Sequence, residues 1–136
     1  MKLSQRNGKG SGVYGVHHDG LDFHVVKDGM RKGWIVTVRE LVTTSGVTHS
    51  LGQPNLFIVH EETLQDVRDA LDHWSEVEGP ASWWRWSQAC SRAHETRMAR
   101  RAEKFAREMA EYDREQAEED DRWAALDAEV DAILGR

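Results

Sequence analysis

The sequence predicts an α+β fold: a small antiparallel β-meander of three to five strands, one covering helix, and a long helical or coiled-coil C-terminal extension. Three observations lead to this prediction. The first half contains short β-type runs separated by turn sequences. The residues after Thr63 repeat their apolar side chains at helical spacing, and between Ser82 and Leu134 there is no Pro or Gly and the apolar residues follow a heptad.

The β-type half begins after a polar, Gly-rich stretch. Residues 1–12 show no periodicity, which predicts a flexible tail. Turn sequences containing Asp, Ser and Gly then separate four runs, which we expect to be strands: Val13–Val16, Leu21–Val26, Gly33–Val42 and Leu56–Val59.

The third run shows the clearest alternation of side chains. Trp34, Val36 and Val38 fall on one face of a strand, and Ile35, Thr37 and Arg39 fall on the other. We expect Val47–Leu51 to pair back onto this strand across a turn at Ser45-Gly46. Because Pro54 precedes the fourth run, that run is predicted to enter the sheet at an edge.

An amphipathic helix is predicted to begin after Thr63. Thr63 is a suitable N-cap, and Asp66 lies three residues later, as in a capping box. Gly79-Pro80 ends the pattern. One face of the helix collects the apolar side chains, which are Leu64, Val67, Ala70, Leu71, Trp74 and Val77. The predicted organisation is therefore an α+β domain at 13–78, a linker at 79–81 and a helical extension at 82–136.

The extension carries the a/d pattern of a coiled coil over about five heptads. Gln116 and Glu119 are polar members of this pattern, so the helix either continues with polar layers or breaks near 113–121. A helix of this length exceeds what a small sheet can cover. We therefore expect its apolar positions to mediate oligomerisation or to fold back on the domain; they are Met98, Ala102, Phe105, Met109, Tyr112, Trp123, Leu126, Val130 and Ile133.

Composition excludes several classes of protein. The 136 residues are too few for a kinase core or a (β/α)₈ barrel, and the single Cys90 excludes an intrachain disulfide framework. No apolar run approaches the roughly 20 residues of a membrane span. We expect a cytoplasmic protein without a cofactor or a membrane partner. Thirteen of its 18 basic residues are Arg, a usage typical of GC-rich genomes such as those of actinobacteria and their phages.

Charge is distributed in blocks. The net charge is +3 over residues 1–60, −6 over 61–80, +4 over 81–110 and −7 over 111–136, for a total of −6. The total argues against a globally basic nucleic-acid binder. The adjoining basic and acidic blocks are typical of a solvated helix whose two ends complement each other in a neighbouring copy or a folded-back segment.

The extension begins with an unusual group of aromatic residues. Trp83, Trp84, Arg85 and Trp86 span more than half of a helix circumference, so they cannot all face one core. Trp and Arg are enriched where binding energy concentrates at interfaces. We therefore predict that these four residues contact a protein partner.

A nucleic-acid partner is the alternative. It would use the basic part of the extension, where phosphate contacts and aromatic stacking could act together. The acidic residues that follow disfavour this interpretation. The residues concerned are Arg92, Arg97, Arg100, Arg101, Lys104 and Arg107.

One segment offers weak metal ligands. His17–His24 holds His18, Asp22 and His24, whose nitrogen and oxygen atoms suit a divalent metal. A polar turn with surface histidines explains the same residues, so we predict no metal site, and no catalytic residues are assigned. A small metal-dependent enzyme is the third hypothesis for the function.

We predict a non-catalytic protein–protein interaction or assembly protein that oligomerises through its C-terminal helix. The Arg-rich composition fits a phage-encoded chain. The expected partners are a second copy of the chain and an unidentified protein. A nucleic-acid-associated accessory protein is the second hypothesis.

Overall fold

The computed structural model describes residues 1–135, and it confirms the α+β fold with a long C-terminal helix. The elements of the described residues are β1 (Ser4–Gln5), β2 (Val13–His18), β3 (Leu21–Lys27), β4 (Trp34–Glu40), β5 (Val42–Thr44), β6 (Val47–His49), β7 (Asn55–Glu61), α1 (Leu64–Trp74) and α2 (Trp83–Leu134). Five strands form one antiparallel sheet in the order β1-β2-β3-β4-β7, while β5 and β6 pair separately. Strand β7 lies at the sheet edge, as predicted.

Two tight turns follow directly from their residues. Asp19 and Gly20 join β2 to β3 with φ angles of 49° and 73°, and Ser45 and Gly46 join β5 to β6 with φ angles of 52° and 80°. Positive φ at both central residues is the geometry of a type I′ turn, whose twist matches that of the flanking strands. The two hairpin registers are therefore fixed locally.

The core lies on one face of the sheet. Phe23 and Val25 of β3 and Val36 and Val38 of β4 are fully buried, as the alternation along the strands predicts. Helix α1 covers this face, and its buried residues are Val67, Ala70, Leu71 and Trp74. The predicted cap is confirmed, because the Thr63 hydroxyl accepts a hydrogen bond of 3.0 Å from the Asp66 amide.

The first turns of α2 belong to the same core. Trp86 is 2% exposed, and its ring centroid lies 6.3 Å from that of Trp74 and 6.5 Å from that of Phe23. Ala89 is also fully buried. The core therefore continues past the predicted linker at 79–81, and the chain divides into two compact units at Glu95 and Thr96.

Two segments differ from the sequence-based expectation. Residues 1–12, predicted as a flexible tail, contain strand β1, and Leu3 is buried in the core. The run predicted as Gly33–Val42 divides at Leu41, whose amide donates to the Gly20 carbonyl. Strand β6 consequently pairs with β5, where the expectation for Val47–Leu51 was pairing with the main strand.

The second unit consists of the remainder of α2. The helix is continuous through 113–121, and every described residue from Met98 to Gly135 is exposed. No helix within residues 1–135 is long and apolar enough to cross a membrane.

Candidate functional site

The second unit exposes a row of apolar side chains at heptad spacing, which we call the α2 stripe. Phe105 is 64% exposed, Trp123 60% and Ile133 78%. Large apolar side chains of soluble proteins are usually buried, and a contiguous exposed patch marks an interaction surface. The stripe comprises Met98, Ala102, Phe105, Met109, Tyr112, Trp123, Leu126, Val130 and Ile133.

Local pairing explains why the polar centre of α2 stays helical. Strong helix formers fill it, and Arg114, Glu118 and Arg122 follow one another at four-residue spacing. Lys104 and Glu108 form the same kind of pair, with 3.9 Å between Nζ and Oε1. The α2 stripe is therefore carried on one uninterrupted helix.

The structure divides the predicted Trp-Arg patch. Trp86 is a core residue, and its indole Nε1 donates to Glu61 Oε1 over 2.8 Å. Arg85 lies 4.0 Å above the Trp74 ring and donates to the Trp74 and Gly79 carbonyls, each over 3.1 Å. Only Trp83 and Trp84 are exposed, so the accessible part of this patch is a pair of indoles.

The predicted basic segment is also divided. Arg92 lies in the first compact unit and donates to the Glu76 carbonyl over 2.6 Å. Five basic residues lie in the second unit on one side of the helix. From Glu108 onwards, acidic residues occupy that same side. These five are Arg97, Arg100, Arg101, Lys104 and Arg107. Nucleic-acid binding by this segment stays a prediction.

The three weak metal candidates do not converge. Asp22 and His24 lie on the sheet face opposite the helices, whereas His18 pairs with Leu21 and contacts the Ser75 hydroxyl at the end of α1. Successive residues of a strand point to opposite faces, which separates His18 from the other two. Among the described residues no group of three or more His, Cys, Asp or Glu is placed to hold a metal ion.

Sequence reasoning missed a polar cluster on that open face, which we call the Asp22 cluster: Arg6, Asp22, His24 and Ser50. The Asp22 carboxylate accepts hydrogen bonds from the Arg6 guanidinium and, over 2.7 Å, from the Ser50 hydroxyl. Arg6 Nη1 also lies 3.0 Å from His24 Nδ1. Together with Arg39 and Leu51 these residues line a cleft of about 300 Å³.

Electrostatics fix the protonation states in this cluster. Burial raises the pKa of Asp22, but the hydrogen bonds from Arg6 and Ser50 and the Arg6 charge outweigh it, so the pKa is lowered overall. Burial and the Arg6 charge lower the pKa of His24. Because Arg6 can only donate, His24 Nδ1 accepts and the ring is neutral. A carboxylate with a low pKa and both oxygens engaged is a weak base, so the cluster ties the N-terminal segment and the Ser50 loop to the sheet.

Gly15 makes the path of Arg6 possible. A Cβ atom at Gly15 would clash with three atoms of the Arg6 side chain, which crosses β2 at this point to reach Asp22. The alternation of Asp22 and His24 with buried Phe23 was the available signal for a polar open face. Nothing in the sequence pointed to Arg6 as their partner, because it lies in the stretch predicted as a tail.

We expect Gly15→Ala to lower the free energy of unfolding by about 1–2 kcal/mol. The methyl group displaces the Arg6 side chain, and the Asp22 carboxylate loses a charged hydrogen-bond donor. Urea denaturation measures the change. Gly29→Ala is the matched control, since a Cβ atom there meets nothing within 4 Å. Equal stability of the two variants would contradict the proposed path of Arg6.

We also expect stability to fall in two steps as the pH is lowered. The pKa of His24 is below its usual 6.5 in the folded state, so the unfolded chain binds the proton first and stability decreases from about pH 6.5 downward. The lowered pKa of Asp22 adds a second loss below pH 3.8. His24→Gln should flatten the first step and Asp22→Asn the second, in urea unfolding at a series of pH values. An unchanged slope between about pH 7 and pH 5 in His24→Gln would refute the first assignment.

Comparison of the chain with protein-family models, with curated proteins and with solved structures found no match. Function is therefore inferred from the residues of this chain alone.

Proposed function

We propose that this chain is a non-catalytic assembly protein that self-associates through the α2 stripe. One observation carries the proposal: apolar side chains at heptad spacing are exposed along an uninterrupted helix from Met98 to Ile133. At 1.5 Å per residue this segment is about 53 Å long. An isolated helix of this kind leaves its apolar side chains in water, whereas pairing with another helix buries them.

The energy available from pairing is large. Fully burying a large apolar side chain contributes about 1.5–3 kcal/mol, and the stripe has eight such side chains per chain besides Ala102. They are already about half covered by their own helix, as the 47% exposure of Met98 and the 49% exposure of Val130 show. With half of this value, the stripes of two chains contribute about 12–24 kcal/mol, against an association cost of about 4–15 kcal/mol.

The exposed indoles of Trp83 and Trp84 support a second contact. They lie in the first compact unit, and they are 65% and 52% exposed. Trp is enriched among residues that dominate binding energy. We infer that these two residues contact a protein partner while the α2 stripe holds the copies together.

Light scattering behind size exclusion, at low and high salt, tests the proposal. A mass of two or more times the 15.6 kDa of one chain supports it, and a 15.6 kDa species at both salt concentrations contradicts it. The control is a chain that ends at Arg97, which keeps Trp86 and Ala89 in the core and lacks the stripe. That control should be folded and monomeric.

A further inference from the structure

We propose that the partner of the α2 stripe is a second copy of this chain running antiparallel, with Tyr112 of one copy opposite Gln116 of the other. This inference rests on the proposed self-association and adds its orientation and register. Three features of the described helix carry it: the layers that the stripe can form, the charges beside it, and the charges at its two ends.

The heptad determines which residues can share a layer. The stripe positions follow one another at alternating spacings of four and three residues, and in an antiparallel pair these spacings run in step only when an a position faces a d position. The register with Tyr112 opposite Gln116 meets this condition, and it brings two aromatic residues into one layer. The other layers pair Met98 with Val130, Ala102 with Leu126, Phe105 with Trp123, and Met109 with Glu119.

The polar layers separate the two orientations. In a parallel pair in register, Glu119 faces Glu119 inside the interface, where two carboxylates repel each other and lose water. In the antiparallel pair Glu119 faces Met109, so no two carboxylates share a layer. Gln116 faces Tyr112, whose hydroxyl can donate to the amide oxygen. The antiparallel arrangement therefore avoids the buried pair of like charges.

The residues that flank the stripe favour the same orientation. Antiparallel pairing places Arg101 beside Glu129 and Glu108 beside Arg122, and each pair occurs twice in the dimer. A parallel pair places Glu108 beside Asp113 instead, and Glu115 beside Asp120, while only Arg122 finds an acidic neighbour. The antiparallel pair keeps like charges only near its centre, between the two copies of Glu115 and between the two copies of Asp113.

The end charges settle the comparison. Residues 97–107 carry a net charge of +4, and in the antiparallel register they face residues 121–131, with a net charge of −3. A parallel pair would place each of these ends against its own copy. The acidic centre, residues 108–120, faces itself in both orientations and does not discriminate between them. Electrostatic complementarity therefore comes from the ends.

A charge-swap cycle in the full chain tests the register. Arg101→Glu and Glu129→Arg should each raise the dissociation constant on the order of tenfold, and the double variant should restore most of the affinity. In a parallel dimer Arg101 and Glu129 are remote from each other, and the double variant would restore nothing. Arg100→Glu with Asp121→Arg is the control, because both residues lie on the outer face of the heptad. Absence of restoration overturns the register.

Disulfide trapping in a Cys90→Ser background tests the orientation directly. Ala102→Cys chains mixed with Leu126→Cys chains should give a mixed disulfide and no Ala102→Cys homodimer. Disulfide-linked Ala102→Cys homodimers would overturn the antiparallel arrangement and leave self-association standing. Absence of both disulfides would overturn the register. A monomeric mass for the native chain would remove both, and a mass above two chains would overturn the two-helix arrangement.

Discussion

Replacing Trp86 by alanine is expected to lower the free energy of unfolding by about 3–5 kcal/mol, the range for deleting a large aromatic side chain from a core. Trp86 packs among Phe23, Phe57 and Trp74, with ring centroids 6.3 to 6.5 Å away, and is 2% exposed. Its removal also takes the indole donor from Glu61. Domains commonly have about 5–15 kcal/mol of stability, so much of it would be lost.

Two matched variants separate the causes of this effect. Trp84→Ala removes a neighbouring side chain that is 52% exposed, and we expect a change within about 0.5 kcal/mol. Trp86→Phe keeps a buried aromatic ring but removes the hydrogen-bond donor to Glu61 and part of the buried volume, with an expected loss of about 1–3 kcal/mol. Urea denaturation of the three variants gives the order. If Trp84→Ala cost as much as Trp86→Ala, the assignment of Trp86 to the core would be wrong.

The double variant Phe105→Glu/Leu126→Glu is expected to convert the assembly into monomers of 15.6 kDa. These residues are 64% and 48% exposed in the single chain, and both belong to the α2 stripe. Four buried carboxylates per dimer would cost more than the lost apolar contacts alone, because each charge would be desolvated without a partner. Light scattering measures the mass, and circular dichroism measures the helix content.

The control adds the same charges on the other side of the helix. Ala117→Glu/Ala128→Glu changes two exposed residues outside the heptad a and d positions, and Glu is nearly as good a helix former as Ala. We expect this variant to keep the mass of the native chain. A monomer from the control as well would show that added negative charge, and not loss of the stripe, disperses the assembly.

Local sequence signals predicted most of the architecture. The strand at 34–40 followed from the alternation of Trp34, Val36 and Val38, and α1 followed from its cap at Thr63. These signals succeed because a strand exposes every second residue to one face and a helix N-terminus needs a side-chain acceptor within three residues. The heptad and the absence of Pro and Gly likewise predicted a long helix.

The sequence did not decide whether α2 continues through its polar centre. Gln116 and Glu119 interrupt the apolar pattern, and a break near 113–121 was as consistent with that pattern as continuity. The helix is continuous there because high propensity and charge pairs four residues apart favour it without any apolar contact. Periodicity reports which face is apolar, and it does not report whether the backbone bends.

The sequence by itself determined the main strands of the sheet, the positions of the two tight turns, the helix cap and the spacing of the α2 stripe, because each depends on neighbours within about four residues. Only the tertiary structure decided that Trp86 belongs to the sheet core and that Arg6 reaches Asp22, across 16 residues of chain. A polar tail and a buried ion pair have the same local composition. Whether the segment is a tail or forms the ion pair depends on which groups the folded sheet brings within hydrogen-bond distance. Gly15 leaves the space that the Arg6 side chain occupies on its way to Asp22.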